Sequence, residues 1–420
     1  MTKINYDPSC MDDYDPASMD AEIAQQHILS SVVPVHETET VAVRDALHRV
    51  VAEDIRSTIN VPSHTNSAMD GYAIQASDIP KSGTKSFRLA GTAWAGRPFN
   101  NAVNSDECIR IMTGAAMPSN SDTVVMQEHV QVDGNQVTID SNQKAGQNVR
   151  QAGEDISQNE LVFQPGKYLQ SADIGLIASL GIAKFKVTRK LRVAFFSTGD
   201  ELVSIGQPLD TGQIYDSNRY TLWCMLSRLN VDIIDLGVVR DTPQAVENAF
   251  IEASQKADVV ITSGGVSVGD ADFVKTTLDK LGEINFWKVS MKPGRPLAFG
   301  KINNAFFFGL PGNPVSVMVT FYIFVQQAIE KMSGREPHKR IRLKVKSNSD
   351  LRKRPGRVEF QRGVFNINSD GDYEVKKTGA QGSGILRSMS EANCFIFLPL
   401  ESEGISKGDM VEIWPFDSFI

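Results

Sequence analysis

The spacing of apolar residues changes several times along the chain, and each change marks a different kind of segment. From about residue 20, Ile23, His27 and Ile28 are spaced to share one face of a helix, and a mixed pattern follows as far as residue 56. A second helix is predicted from Ser171, with its end at Gly181. We therefore predict a discontinuous mixed α/β linking domain, formed by residues 20–56 and 156–190.

The segment between these two parts, residues 57–155, alternates short apolar runs with turn signals. Runs such as 108–112 and 122–126 are typical of short strands, and Asp133-Gly134 is typical of a hairpin turn. The sequence therefore predicts an inserted β-rich domain, barrel-like in form.

From residue 191 the pattern changes to strands that alternate with helices. Apolar runs at 192–196, 231–238 and 259–261 are separated by helical patterns at 217–229 and 243–253. This order is typical of a doubly wound α/β domain, which we assign to residues 191–338. The final segment, 339–420, returns to short strands and predicts a small C-terminal β barrel.

Two stretches need a separate interpretation. Residues 315–329 are the most apolar of the later segments, but they are too short for a membrane span and contain Ser316 and Gln326, so we predict a buried helix and no membrane association. A basic run from Arg352 to Arg362 is most simply a solvated face. Arg362 is the residue of this run for which we expect a functional role. We expect the same of the turn at 382–384, further along the chain.

Composition narrows the classes of function. The chain has 420 residues and a net charge of −7, which argues against general nucleic-acid binding because that usually needs a basic face. The four cysteines are widely separated and form no CxxC pair, which indicates neither a zinc site nor a disulfide framework and fits a cytoplasmic protein. The first twenty residues are acidic and rich in turn formers, without a signal-peptide pattern, and we expect a mobile leader there.

The stretch from Thr262 to Lys275 carries the clearest chemistry. It follows a buried strand, opens a helix, and combines glycines with Asp270 and Asp272. Free backbone N–H groups at such a junction can bind an anion, and adjacent carboxylates suggest a divalent cation between protein and phosphate. The alternative interpretation is a tight turn with capping aspartates.

Polar clusters also follow the neighbouring predicted strands. They lie at 197–201, at Asp241, at 263–272, at Lys288 with Lys292 and Arg295, and at 311–314. Ligands of open α/β sheets bind at the carboxyl ends of the strands, so the coincidence of these clusters predicts a functional cleft.

The chain also contains ten motifs in a fixed order, which are SAMDGYA, RIMTGA, SDTVVMQE, GEDI, FSTGDEL, SGGVSVGDADF, KPGRPLAFG, GLPGNPVS, GSGIL and EANCFIFLPL. In these motifs the chain resembles the molybdopterin molybdenumtransferase family over about residues 20–415. The resemblance implies four domains and an L-shaped homodimer with a shared active site. It also implies the reaction, in which adenylylated molybdopterin is hydrolysed and molybdate supplies the metal, giving molybdenum cofactor and AMP with Mg²⁺ as the cation.

The resemblance further implies roles for residues that match the motifs. The implied catalytic positions are Asp70, Thr113, Asp155, Glu201, Asp241, Asp272, Lys288 and Lys292. The implied cation ligands are Glu201, Asp241, Asp272 and Asp70, whereas Asp270 has a turn or supporting role. The implied contacts to the phosphates of the substrate are Ser263, Gly264, Gly265, Ser267, Gly269, Arg295, Pro311, Gly312, Asn313 and Pro314.

Molybdate is a compact dianion that calls for point positive charges and hydroxyl donors. The matching positions are Lys288, Lys292, Arg362 and Ser383. Thr113 and Asp155 would reach across the dimer, and a transient contact with the molybdopterin adenylyltransferase is expected. Arg295 stands where relatives often have Lys, and Cys394 stands where glycine is common.

Two other functions are open at this point. One is molybdopterin adenylyltransferase activity, which a lone α/β domain of similar topology performs and which leaves the insert and the barrel unexplained. The other is a non-catalytic scaffold for partner proteins, which predicts a loss of the acids and lysines that this sequence retains.

Overall fold

The computed structural model describes residues 18–264, 277–278 and 280–419. The predicted leader and part of the 262–275 loop lie outside these residues. The chain divides into two compact units. Residues 40–47 and 51–187 form one, here called the insert unit, and the described residues from 18–39, 48–50 and 188–419 form the other, here called the main unit. The predicted division into four domains stays a prediction.

The helices of the described residues are α1 Ala21–Ser31, α2 Ser171–Ser179, α3 Ser217–Ser227, α4 Pro243–Lys256, α5 Pro314–Thr320, α6 Gln326–Met332 and α7 Arg387–Ser390. A π-helical turn, Phe321–Val325, joins α5 to α6 and completes the buried helix predicted at 315–329. None of the described helices is long and apolar enough to span a bilayer.

The strands as far as residue 188 are β1 Thr38–Ala42, β2 Ile55–Arg56, β3 Asn66–Ser67, β4 Gly71–Ile74, β5 Thr84–Ala93, β6 Glu107–Ile111, β7 Thr123–Met126, β8 Gln131–Asp133, β9 Gln136–Asp140, β10 Val149–Arg150, β11 Leu161–Phe163 and β12 Lys184–Thr188. Six of them form one sheet in the order β7-β4-β6-β5-β9-β8. The hairpin predicted at Asp133-Gly134 is confirmed, because Asp133 pairs with Gln136. The barrel-like form is not, because β7 and β8 are the edges of an open sheet in the described pairings.

The remaining strands are β13 Arg192–Thr198, β14 Leu202–Val203, β15 Ile214–Tyr215, β16 Asp232–Val239, β17 Val259–Ser263, β18 Gly282–Lys288, β19 Met291–Lys292, β20 Pro296–Ile302, β21 Ala305–Leu310, β22 Leu343–Ser347, β23 Leu351–Arg352, β24 Val358–Ile367, β25 Tyr373–Lys377, β26 Cys394–Leu398, β27 Gly404–Ile405 and β28 Met410–Pro415. The order β16-β13-β17-β21-β20-β18 defines the central sheet of the main unit.

Both faces of the central sheet are covered, as a doubly wound fold requires. Along β13, Val193 and Phe195 belong to an apolar cluster with residues of α1, α3, α5 and α6, whereas Ala194 and Phe196 belong to a second cluster with residues of α4. The alternation has the period of two that places successive strand side chains on opposite faces. The predicted α/β architecture is therefore confirmed.

The C-terminal strands close on themselves. The order β24-β25-β22-β28-β26 is completed by a pairing of β24 with β26, which gives a closed five-stranded barrel and confirms the prediction. Strand β19 adds to this barrel beside β24, with Met291 opposite Val358 and Lys292 opposite Glu359. That short parallel pairing joins the loop between β18 and β20 of the central sheet to the barrel.

Candidate active site

The register of the central sheet brings its polar loops to one edge. Ser197 at the end of β13 pairs with Ser263 at the end of β17, and Ser263 pairs with Leu310 at the end of β21. Strand β18 ends at the same edge, because Lys288 pairs with Pro296 at the start of the antiparallel β20. The loops that leave these strand ends therefore start side by side.

A cavity of about 580 Å³ opens at this edge. Nine of the positions expected from the sequence line it, which are Glu201, Asp241, Gly264, Lys292, Arg295, Pro311, Gly312, Asn313 and Ser383. Four other expected positions of the main unit do not line it, which are Lys288, Ser263, Pro314 and Arg362. Gly265, Ser267, Gly269 and Asp272 lie outside the described residues.

Two of the lining residues, Glu201 and Asp241, are acidic, and they are here called the acidic wall. The carboxylate of Asp200 accepts a hydrogen bond from the backbone N–H of Asp241 at 3.2 Å, so these two acids are close together. Burial raises the pKa of Asp241 above its ordinary value, and the negative charges of Asp200 and Glu201 raise it further. A carboxylate held near other carboxylates is stabilised when a cation joins the group.

Gly199 shapes this wall by lacking a side chain. A Cβ atom at this position would lie 2.7 Å from Oε2 of Glu201, and the φ angle of 150° is one that other residues rarely adopt. The absence of a Cβ atom leaves room for the Glu201 carboxylate beside the backbone of Gly199. The glycine of the FSTGDEL motif therefore permits this position of the Glu201 carboxylate.

The carboxylates of the cavity suit a cation that is bound by the protein and by a ligand together. No three of the His, Cys, Asp and Glu side chains in the described part of the chain are grouped as a complete protein metal site. Mg²⁺, however, is usually bound by one or two carboxylates together with substrate phosphates and water. Glu201 and Asp241, which line one cavity, fit that requirement.

Three other lining residues are basic, and they are here called the basic wall. They are Lys292, Arg295 and Arg357, and Lys292 Nζ lies 3.8 Å from Oε1 of the largely buried Glu359. The pairing of β19 with β24 holds Lys292 and Glu359 side by side. The same cavity therefore combines fixed positive charge with the carboxylates of the acidic wall.

Arg362 lies behind this wall rather than on it. Its side chain is 1% exposed, and its guanidinium donates to Ser388 Oγ at 3.0 Å and to the carbonyl oxygen of Gly382 at 3.1 Å. Burial lowers the pKa of Arg362 to about 10. In this structure Arg362 supports the loop that carries Ser383, and direct contact with molybdate stays a prediction.

Comparison with known proteins identifies the family. Three family models match, described as "MoeA N-terminal region (domain I and II)" over residues 19–181, "Probable molybdopterin binding domain" over 194–331 and "MoeA C-terminal region (domain IV)" over 344–416. A molybdopterin molybdenumtransferase of Haemophilus influenzae is 47% identical over 91% of this chain and 95% of its own. The chain belongs to the molybdopterin molybdenumtransferase family.

Two further similar proteins support this family assignment. The molybdopterin molybdenumtransferase of a Nostoc species is 36% identical over 91% of this chain and 90% of its own length. Among solved structures, a molybdopterin biosynthesis moeA protein from Pyrococcus horikoshii superposes with a TM-score of 0.82 at 28% identity, covering 95% of this chain and all of that one. The similarity thus extends over nearly the whole chain.

Two polar or charged residues that line the cavity lie outside the family motifs. Arg357 belongs to the basic run that the sequence favoured as a solvated face, and it reaches the cavity because β19 pairs with β24. Gln381 also lines the cavity, and its side chain bonds the backbone of Arg362 on β24 at 2.7 and 3.2 Å. The only sequence signal for either was proximity to Arg362 and to the GSGIL motif.

Three expected positions belong to the insert unit. Asp70 and Thr113 are in contact, and both are exposed. The hydrogen bonds from the backbone and hydroxyl of Thr113 hold the pKa of Asp70 below its ordinary value. Asp155 is exposed on the loop between β10 and β11. This unit therefore presents an ionised carboxylate with a hydroxyl donor beside it.

Proposed function

We propose that this chain, which by its family is a transferase of molybdenum cofactor biosynthesis, inserts molybdenum from molybdate into adenylylated molybdopterin and releases AMP. One observation carries the proposal, namely a single cavity whose lining includes two carboxylates and three cationic side chains. A phosphoanhydride with a bound cation and a compact oxyanion need these two kinds of surface.

The acidic wall would serve the anhydride. Glu201 and Asp241 would hold Mg²⁺, which would supply positive charge to the phosphate oxygens, and Asp272 is a further candidate ligand outside the described residues. Backbone groups of Gly264, Gly312 and Asn313 line the same cavity and can approach the phosphates closely.

The basic wall would serve molybdate. Lys292 and Arg295 would provide fixed charges, and Ser383 would donate a hydroxyl hydrogen bond. We add Arg357 to this set, because it lines the cavity with them. Lys288 ends β18 at the same edge, and its contact with molybdate remains part of the proposal.

The family resemblance supports the wider proposals. These are a homodimer with a shared active site to which Asp70, Thr113 and Asp155 contribute, a transient contact with the adenylyltransferase, and a cytoplasmic location. The ionised state of Asp70 suits it to act near a cation, as either a ligand or a partner of bound water.

A comparison of two substrate pairs tests the proposal. The protein is incubated with adenylylated molybdopterin, molybdate and Mg²⁺, and in parallel with ATP, molybdopterin and Mg²⁺. The proposal predicts molybdenum cofactor and AMP in the first reaction and no adenylylated product in the second. Adenylylated molybdopterin in the second reaction would assign the adenylyltransferase function instead, and no product in either would favour a non-catalytic scaffold.

A further inference from the structure

Asn218, near the start of α3, joins two loops of the cavity. Its side-chain Nδ2 donates to Ser263 Oγ at 2.8 Å and to the carbonyl oxygen of Gly312 at 2.7 Å. Ser263 ends β17 immediately before Gly264, and Gly312 lies in the loop after β21. One amide group therefore connects the two glycine-containing loops, although Asn218 itself does not line the cavity.

The orientation of this amide is determined by its partners. Both Nδ2 protons are used by acceptors, whereas Oδ1 is buried and has no hydrogen-bond partner among the described residues. A buried acceptor without a donor is unfavourable for folding. A buried polar atom without a partner needs an explanation. A functional requirement for the two hydrogen bonds that Nδ2 donates supplies one.

The two loops that Asn218 joins are packed backbone to backbone. A Cβ atom on Gly312 would lie 3.9 Å from the Cα of Gly264, and one on Gly264 would lie 2.8 Å from the carbonyl oxygen of Thr198. The N–H of Gly264 donates to the carbonyl oxygen of Leu310 at 3.1 Å. A backbone hydrogen bond thus joins the two strand ends, and the two bonds of the Asn218 amide connect the loops that follow them.

The start of α3 is itself fixed. Asp216 caps the helix by accepting the backbone N–H of Arg219 at 3.1 Å, and Arg219 Nε donates to both carboxylate oxygens of Asp235 on β16 at 2.8 and 2.9 Å. These contacts anchor the first turn of the helix to the sheet. Asn218 therefore acts from a rigid support.

We propose that Asn218 is a positioning residue that sets the separation of the Gly264 and Gly312 loops and thereby the binding of the phosphate groups of the nucleotide-linked substrate. This inference rests on the proposed function. It assigns Asn218 no contact with substrate, so its removal affects nucleotide binding through the loops and leaves the molybdate-binding wall intact.

The test compares Asn218→Ala with the parent protein. Calorimetry measures the affinity of each protein for AMP in the presence of Mg²⁺, and steady-state kinetics measure the KM for each substrate. We expect AMP to bind roughly tenfold more weakly, which corresponds to the loss of one to two hydrogen bonds. The KM for adenylylated molybdopterin should rise similarly, while the KM for molybdate stays unchanged.

Two further variants separate positioning from a general structural effect. Asn218→Asp keeps the shape and suits the first turn of a helix, but it removes both donors, so AMP binding should weaken at least as much as in Asn218→Ala. Asn303→Gly is the matched control, because Asn303 makes a similar Asn–Ser bond to Ser254 Oγ at 2.9 Å and has a φ of 52° that glycine tolerates. The control should bind AMP as the parent does.

The outcomes are distinguishable. Unchanged AMP affinity in both Asn218 variants would overturn the inference, and so would an equal rise in both KM values, since that would indicate a general disturbance. If the parent protein neither bound AMP nor released it from adenylylated molybdopterin, the proposed function would fail and the inference with it. Weaker AMP binding in the Asn218 variants, with an unchanged KM for molybdate, supports the proposed function and the inference about Asn218.

Discussion

The carboxylate of Asp70 accepts two hydrogen bonds from Thr113, one from the backbone N–H at 2.7 Å and one from the side-chain hydroxyl at 2.8 Å. Both bonds stabilise the charged form, and together they hold the pKa of Asp70 below its ordinary value. Asp70 follows Ser67-Ala-Met and Thr113 follows β6, so the contact joins two of the family motifs. It gives the carboxylate a fixed charge and direction.

The first prediction concerns this pair. Thr113→Val removes the hydroxyl bond and keeps the backbone bond, so the pKa of Asp70 should rise toward its ordinary value. The acid limb of the pH profile of kcat/KM should then move to higher pH, provided that Asp70 acts in its charged form. Thr138→Val, which removes an exposed hydroxyl that contacts Ser86 on a neighbouring strand, is the control and should leave the profile in place.

The second prediction concerns the acidic wall. Asp241→Asn removes one of the two carboxylates that line the cavity, so Mg²⁺ should bind more weakly and kcat should fall by roughly 10²-fold. The concentration of Mg²⁺ that gives half of the maximal rate should rise by about tenfold or more. Asp210→Asn changes an exposed carboxylate that does not line the cavity, and it should behave as the parent. An unchanged Mg²⁺ requirement in Asp241→Asn would remove Asp241 from the cation site.

The third prediction separates two arginines of the basic run. Arg362→Met leaves Ser388 Oγ and the Gly382 carbonyl oxygen without their buried donor, so the free energy of unfolding should fall by about 2–4 kcal/mol. Arg357→Ala alters a partly exposed side chain and should cost about 0.5 kcal/mol or less, yet it should raise the KM for molybdate. Chemical denaturation and steady-state kinetics measure the two effects. A loss of stability in Arg357→Ala but not in Arg362→Met would contradict the buried position of Arg362 and the position of Arg357 at the cavity.

The fourth prediction concerns pH and stability at His338. Its Nδ1 lies 2.8 Å from Glu330 Oε1 and its Nε2 lies 2.6 Å from the carbonyl oxygen of Ser418, so both partners are acceptors and favour the doubly protonated ring. The hydrogen bond to Glu330 raises the pKa of His338 above its ordinary value, although burial opposes this. Arg335, which pairs with Glu330, and the nearby Arg340 are the other charged groups of this cluster.

Because the pKa of His338 is raised on folding, the stabilisation is complete below the ordinary value of about 6.5 and is lost as the pH rises through the raised pKa. His338→Gln carries no titrating charge. The difference in free energy of unfolding between parent and variant should therefore shrink as the pH increases from 5.5 toward 9, about the range of histidine titration. A difference that stays constant across this range would show that the charge of His338 contributes nothing.

The sequence predicted the acidic wall because the chemistry there follows local rules. Glu201 and Asp241 come shortly after β13 and β16, and these parallel strands bring their carboxyl ends to one edge. Asn313 follows β21 in the same way. These positions depend on the order of strands and helices, which the periodicity of apolar residues encodes.

The basic wall depends on a contact that no local pattern encodes. Arg357 reaches the cavity because β19 lies beside β24, two segments far apart in the chain. Arg362, five residues further along, is buried on β24, the strand that begins directly after Arg357. Periodicity assigns faces within one strand, but it does not say which face of a barrel meets a neighbouring sheet. The open sheet at 71–140 has a similar cause, since alternation predicts strands but not whether the first and last of them pair.

The central claim is most directly tested by a single-turnover reaction of the parent protein with adenylylated molybdopterin and Mg²⁺, with and without molybdate. AMP is quantified by chromatography, and molybdenum bound to the pterin product by elemental analysis. The account predicts that molybdate accelerates AMP release and that molybdenum enters the product in an amount equal to the AMP released. AMP release that is independent of molybdate, with no molybdenum in the pterin product, would contradict it.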